Sequence, residues 1–203
     1  MAESITGFFT WAAHWLAALM LATFPAAVLY WLLIHPLARF WRRRGPWVAY
    51  TVVSILCLAV AALIFRSRQP MLATRWPFSW WLAALGVVLY GAAIWLEVAC
   101  RRHLKLRTLL GAPELGGDPG MVLTGGIYGR LRHPRYLSVL LGVAGWACLL
   151  NYPAVWILAL SMIPSFYLVI VLEERELVER FGGEYKAYMR AVPNRLIPRV
   201  GGQ

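Results

Sequence analysis

Two polar clusters flank the last apolar hairpin of a largely apolar chain, and both carry groups suited to holding a charged cofactor. The first, Gly125-Gly126-Ile127-Tyr128-Gly129-Arg130-Leu131-Arg132-His133-Pro134-Arg135-Tyr136, gathers an imidazole, two phenols and three guanidinium groups. The second, Glu173-Glu174-Arg175-Glu176-Leu177, is where two acids stand side by side. Proline is favoured at the first position of a helix, where a backbone N–H has no partner. Pro134 therefore marks a helix start and pushes His133 out of helical geometry, so that the imidazole points away from the helix. The unpaired N–H groups of that helix end, with Arg132 beside them, form a natural anion site. Glu173 and Glu174 suit ribose hydroxyls or a cationic amine. The plainer account is a basic membrane anchor followed by the solvated start of a polar helix. That account covers Glu176 and Glu179 well. It covers two adjacent acids and the Tyr-x3-Arg-His-Pro-x-Tyr spacing less well.

The elements that must position these groups are apolar runs. Phe8 to Ile34 is free of charge and longer than a straight span needs, with His14 inside it and Pro25 as a candidate kink. Arg39 to Pro46 reads as a basic loop with a Gly-Pro stop. Trp47 to Phe65 forms the second run; Pro70 and Pro77 make the loop after it a poor helix. Trp80 to Cys100 is the third run, with Glu97 paired to the following Arg101-Arg102. A long polar segment follows, and its middle, residues 111–120, is a loop by composition. Loops of that length often serve as lids or binding loops. Pro134 to Leu150 and Ala154 to Leu172 make a helical hairpin closed by Asn151-Tyr152-Pro153. The hairpin brings the start of one helix and the end of the other to the same depth, so Glu173 or Glu174 can approach His133 and Tyr136. Glu173 to Phe181 continues as a polar helix, Gly182-Gly183 caps it, and Glu184 to Ala191 forms a short amphipathic helix. Pro193 and Pro198 end ordered structure.

Hydrophobic residues make up 61% of the chain and the mean hydropathy is +0.61. Ordinary soluble domains are roughly half apolar. The expected fold class is therefore an all-α membrane protein with five transmembrane helices and short C-terminal cytosolic helices. One integral-membrane domain covers 1–203, with 1–100 as scaffold and 101–203 carrying the cofactor loop, the hairpin and the tail. The N-terminus lacks the basic flank of a signal peptide, so the first run is expected to be retained. With five spans, 17 of the 20 Lys and Arg fall on one side. The positive-inside rule places the C-terminus and both polar clusters in the cytoplasm and the N-terminus outside, as in a bacterial inner membrane. The net charge of +11 is thereby assigned to topology and anionic lipid rather than to nucleic acid. Cys57, Cys100 and Cys148 have no ligand spacing, so neither a metal nor a disulfide framework is expected. There is no Gly-x-Gly-x-x-Gly after a strand, no P-loop and no nucleophile elbow, so a nucleotide-like ligand needs a non-Rossmann pocket.

Read in order, Gly126-Ile127-Tyr128, Arg132-His133-Pro134-Arg135-Tyr136, Asn151-Tyr152-Pro153, Glu173-Glu174-x-x-Leu177, Phe181-Gly182, Tyr185, Tyr188, Val192-Pro193 and Ile197-Pro198 resemble the isoprenylcysteine carboxyl methyltransferase family. The resemblance covers about the last 85 residues and implies S-adenosylmethionine bound on the cytoplasmic side by the C-terminal hairpin. It implies that Gly120, Met121, Val122, Leu123, Tyr128, His133, Pro134, Arg135, Tyr136 and Glu173 line the cofactor pocket. Arg132 and Glu174 are candidates for positioning a lipophilic or lipidated substrate that enters from the bilayer; no catalytic residue is assigned. A sulfonium cofactor suits a mostly apolar surround, since methyl transfer discharges it. One position departs from the family pattern. Prenylcysteine-specific members carry an arginine one helical turn before the first acid, where Val169 stands here. A lipid amine, thiol or phenol then competes with a carboxylate as acceptor. Two other readings stay open: an NADPH-dependent membrane reductase of the sterol-reductase type, which shares the Arg-His-Pro-x-Tyr region, and a non-enzymatic membrane scaffold.

Overall fold

The computed structural model describes residues 2–102 and 121–197, which are helical and connected by short turns, with no strand among them. Gly120 and the middle of the long loop lie outside the described residues, as does Pro198. In chain order the helices are α1 (Ala2–Ile34), α2 (Ala38–Arg44), α3 (Pro46–Arg66), α4 (Arg68–Met71), α5 (Trp80–Arg101), α6 (Pro134–Leu150), α7 (Pro153–Phe181) and α8 (Gly183–Ala191), with a 3₁₀ turn at Gly126–Gly129. Segments Gly7–Ile34, Pro46–Arg66, Trp80–Arg101 and Pro153–Phe181 are long and apolar enough to cross a membrane. At 17 residues, α6 is shorter, about 26 Å at 1.5 Å per residue. Large exposed apolar side chains on α3 (Ile55, Leu58, Leu63), α5 (Val87, Val88, Trp95) and α7 (Ile157, Leu160, Ile163) give these helices an outer surface suited to lipid. The protein is a multi-pass integral membrane protein.

Helix boundaries follow local chemistry. Proline opens α3, α6 and α7 at their first turn. Asn151 closes α6 in the left-handed region at φ 54°, ψ 39°, a conformation asparagine tolerates better than most residues. Its side chain does further work. The amide donates to the Pro77 carbonyl at 2.8 Å, and its oxygen accepts from Trp156 Nε1 at 3.1 Å. The Trp76 N–H donates to the Asn151 carbonyl and Arg75 Nε to that of Leu150. The α6–α7 turn is thereby stapled to the loop before α5.

The core lies between α1, α6 and α7. Ala17 and Ala18 let α1 approach closely, and Val143, Ala147, Val155, Met162 and Val169 fill the space between. His14 meets the Tyr152 ring edge-to-face. Helices α5 and α6 touch backbone to backbone. A Cβ at Gly86 would stand 2.8 Å from the Gly145 carbonyl oxygen, and one at Gly145 would stand 2.9 Å from that of Gly86. Small residues at such crossings replace the missing hydrophobic drive between helices in lipid. Glu97 pairs with Arg101 at 2.8 Å, as the sequence implies.

Four segments differ from the sequence expectation. The basic stretch after α1 is not a loop: α2 forms there because Trp41 is buried in the α1–α3 corner, donating Nε1 to the Leu33 carbonyl. A single helical turn, α4, survives Pro70. Glu176, expected on a solvated face, is 5% exposed and lies between Arg42 and Arg180 at 3.8 and 3.7 Å. The tail past Pro193 is held in place: Arg132 N–H donates to the Asn194 carbonyl and His133 N–H to that of Arg195.

Candidate functional site

The site sits at the open end of the α6–α7 hairpin, opposite the Asn151 turn. His133 takes the N-cap position of α6 at φ −125°, ψ 55°, outside the helical region because Pro134 follows it. Glu173 and Glu174 emerge near the end of α7, one pointing to either side of His133. His133 Nε2 lies 3.1 Å from Glu174 Oε1, and Nδ1 lies 3.6 Å from Glu173 Oε2. Only the first distance is a hydrogen bond.

The two neighbouring acids live in different surroundings. Glu174 is 4% exposed and saturated. Arg132 Nε reaches its Oε1 at 2.8 Å, while Arg195 Nε and its terminal nitrogen reach Oε2 at 3.0 and 2.8 Å. Arg132 also donates to the Val192 carbonyl at 2.7 Å, and Arg195 to the Tyr167 hydroxyl at 3.1 Å. Hydrogen bonding to Glu174 raises the Arg195 pKa further, so the pair stays ionised. Glu173, in contrast, has an Oε2 that is buried and accepts no hydrogen bond among the described residues. A buried orphan acceptor of this kind costs about 1–3 kcal/mol unless something donates to it.

Between these elements opens a cavity of about 150 Å³. Its walls are Met121, Val122 and Leu123 from the chain before the 3₁₀ turn, Tyr128, the corner Arg132 to Tyr136, Glu173, Leu177, Arg180 and Phe181 of α7, Tyr185 and Tyr188 of α8, and Trp31 of α1. Of the residues singled out as cofactor contacts, Met121, Val122, Leu123, Tyr128, His133, Pro134, Arg135, Tyr136 and Glu173 thus face one cavity. Arg132 lines it as well, while Glu174 stands behind its wall in the arginine cluster. Tyr188 donates its hydroxyl to the Tyr128 carbonyl at 2.7 Å, which ties α8 to the 3₁₀ turn. Burial raises the pKa of Tyr128 and Tyr185, and that of Tyr188 to about 12, so all three phenols are neutral hydrogen-bonding groups at physiological pH.

Sequence reasoning did not assign Trp31, Arg180 or Arg195 to the site. Arg180 was legible as a helical neighbour of Glu176, but its turn toward the cavity was not. Trp31 arrives from a helix at least 90 positions away in sequence, and no local pattern marks it. Arg195 follows a proline that reads as the end of order; only the backbone pairing of the tail with the His133 corner brings it to Glu174.

A family model describing phospholipid methyltransferases matches residues 81–184, half of the chain and both polar clusters. The protein-S-isoprenylcysteine O-methyltransferase of Schizosaccharomyces pombe is 26% identical over 202 residues, which cover 94% of this chain and 82% of that protein. No solved structure matches.

Proposed function

From the premise that the chain belongs to the phospholipid methyltransferase family, we propose that it is an S-adenosylmethionine-dependent methyltransferase acting on a lipophilic acceptor at the cytoplasmic face of a five-span membrane protein. The observation that carries this reading is the convergence of His133, Tyr136 and the unsatisfied Glu173 carboxylate on one cavity at the open end of the α6–α7 hairpin. The residues fit the cofactor chemically. Glu173 offers the acceptor oxygen that ribose hydroxyls need. The first N–H groups of α6 and Arg135 suit a carboxylate. Met121, Val122, Leu123 and the aromatic rings supply an apolar surround for a sulfonium. When bound, the cofactor supplies an electrophilic methyl group.

The protein's part is to orient and exclude water. Arg132 and Arg195 fix Glu174, which fixes the His133 ring by its Nε2 hydrogen bond and so leaves Nδ1 facing Glu173. Tyr136 stacks obliquely between His133 and Phe166, at 5.7 and 5.2 Å, which closes the inner wall with rings. Alignment in a dry cavity lowers the barrier without a covalent intermediate. Val169 is fully buried in the apolar core, so α7 offers no cation at that position for an acceptor carboxylate. The relative from Schizosaccharomyces pombe supports methyl transfer, and the family description supports a lipid acceptor. The side carrying most of the Lys and Arg supports a cytoplasmic site.

Calorimetry on the purified protein with S-adenosylhomocysteine and with NADPH tests the reading. Binding of the former is expected, and it weakens on His133→Ala with the fold retained. Binding of NADPH alone overturns the methyltransferase in favour of a reductase.

A further inference from the structure

Helix α2 lies between two segments long and apolar enough to cross the membrane, Gly7–Ile34 and Pro46–Arg66, and so sits at the bilayer boundary. It carries four arginines and no acid. Its faces differ. Ala38 and Trp41 turn inward and are buried, whereas Phe40, Arg43 and Arg44 are exposed, with Leu37 just before them. Phe40 stands three and four residues ahead of Arg43 and Arg44, which puts the three on one side of the helix. The Arg44 guanidinium lies 5.6 Å from the Phe40 ring centre. Arg39 and Arg42 are engaged by Glu179 and Glu176 of α7, at 3.1 and 3.8 Å. Arg43 and Arg44 pair with no acid among the described residues. A topology signal needs charge alone. Here the two arginines are interleaved with exposed Leu37, Phe40 and, just past Gly45, Trp47. That mixture suits the layer where lipid phosphates meet acyl chains.

We propose that the outer face of α2 binds the phosphate of an anionic phospholipid of the bilayer through Arg43 and Arg44, and that this lipid pins α2 against α7 and firms the cavity wall. The contact it reinforces is weak by itself. Arg39 and Glu179 are well exposed, and pairs of that kind contribute little. Glu176 is buried, yet neither of its oxygens accepts a hydrogen bond among the described residues. Leu177, Arg180 and Phe181, interleaved with those two acids on α7, line the cavity. The turn into α2 holds the buried His35, whose ring stacks on that of Trp31, another cavity wall, at 5.2 Å with 18° between planes. The α2 corner therefore reaches the cavity by two routes, through α7 and through α1. A lipid that favours the docked helix favours the formed wall by the same free energy. Apolar side chains beside the arginines select a lipid over free phosphate. The inference needs the membrane fold and stands apart from the methyltransferase reading.

The test uses the full chain in nanodiscs of phosphatidylcholine, alone or mixed with phosphatidylglycerol of the same acyl chains. Native mass spectrometry reads which lipid stays bound, and amide hydrogen exchange reads residues 177–191. The wild type is expected to retain phosphatidylglycerol in preference to phosphatidylcholine. That preference should fall about fivefold for each arginine removed in Arg43→Gln/Arg44→Gln. Arg102→Gln/Arg130→Gln removes two exposed charges elsewhere on the chain and should keep the preference. With phosphatidylglycerol present, amides 177–191 should exchange at least about threefold more slowly in the wild type and in the Arg102/Arg130 variant, but not in the Arg43/Arg44 variant. No lipid preference in the wild type overturns the proposal. So does an equal loss in the two double variants, which would mean a diffuse basic surface. Bound phosphatidylglycerol with unchanged or faster exchange overturns it as well, as does inorganic phosphate reproducing the protection in pure phosphatidylcholine. None of these readouts uses S-adenosylhomocysteine, so the outcome is separate from that of the cofactor reading.

Discussion

The two ends of the α6–α7 hairpin are held by opposite kinds of chemistry. At the closed end the bonds are made by amides, an indole and backbone carbonyls around Asn151, with Arg75 donating only to a carbonyl. At the open end Arg132, His133 and Arg195 converge on the buried Glu174 carboxylate. The closed end needs only a fixed backbone angle. The open end must hold a cavity apart while keeping charges out of water, and buried charges tolerate no missing partner. The contrast separates stapling a turn from framing a site.

Removing the hub of the open end should have the largest effect. Glu174→Ala leaves Arg132 and His133 buried without their anion and is expected to cost about 3–5 kcal/mol. Thermal unfolding in detergent reads this directly, and a wild-type melting temperature would mean that the cluster is not what holds that end together. The closed end should respond less. Asn151→Ala forces alanine to φ 54° and deletes two side-chain bonds, a loss of about 2–3 kcal/mol. Asn151→Gly relieves the backbone and should recover roughly a third of it.

The comparison sharpens further between adjacent acids. Glu173→Gln should leave the melting temperature nearly unchanged, since Glu173 accepts little within the protein. Its affinity for S-adenosylhomocysteine should drop about tenfold, which corresponds to about 1.4 kcal/mol. A variant that loses stability as Glu174→Ala does would erase the distinction drawn between the two. The smallest effect is acid sensitivity near the open end. The folded-state pKa of His35 lies below 6.5. Below that pH the unfolded chain takes up a proton that the folded ring refuses, so stability is full above 6.5 and declines beneath it. Comparing melting temperatures of wild type and His35→Phe between about pH 7.5 and 5.5 isolates this share, expected to be below about 1.4 kcal/mol per pH unit.

Local signals account for what could be read from the chain alone. The limits of α6 lie at Pro134 and Leu150, set by an N-terminal proline and an asparagine that accepts positive φ. The meeting of His133 with Glu173 and Glu174 followed from a short turn and two apolar runs of similar length, Pro134 to Leu150 and Ala154 to Leu172. What escaped was long-range. Trp41 makes α2 a helix only because a corner between α1 and α3 exists to receive it. Glu176 is buried because α2 lands on it. The tail and Trp31 reach the site through folding of distant segments, and no periodicity records such partners.

Helix α7 runs as one element from Pro153 to Phe181, through Pro164, carrying lipid-facing Ile157, Leu160 and Ile163 near one end and the acids 173 and 174 near the other. A continuous rod of about 43 Å cannot settle deeper in a thicker bilayer without taking its carboxylates along. The depth of the cavity mouth relative to the headgroup plane is therefore coupled to bilayer thickness.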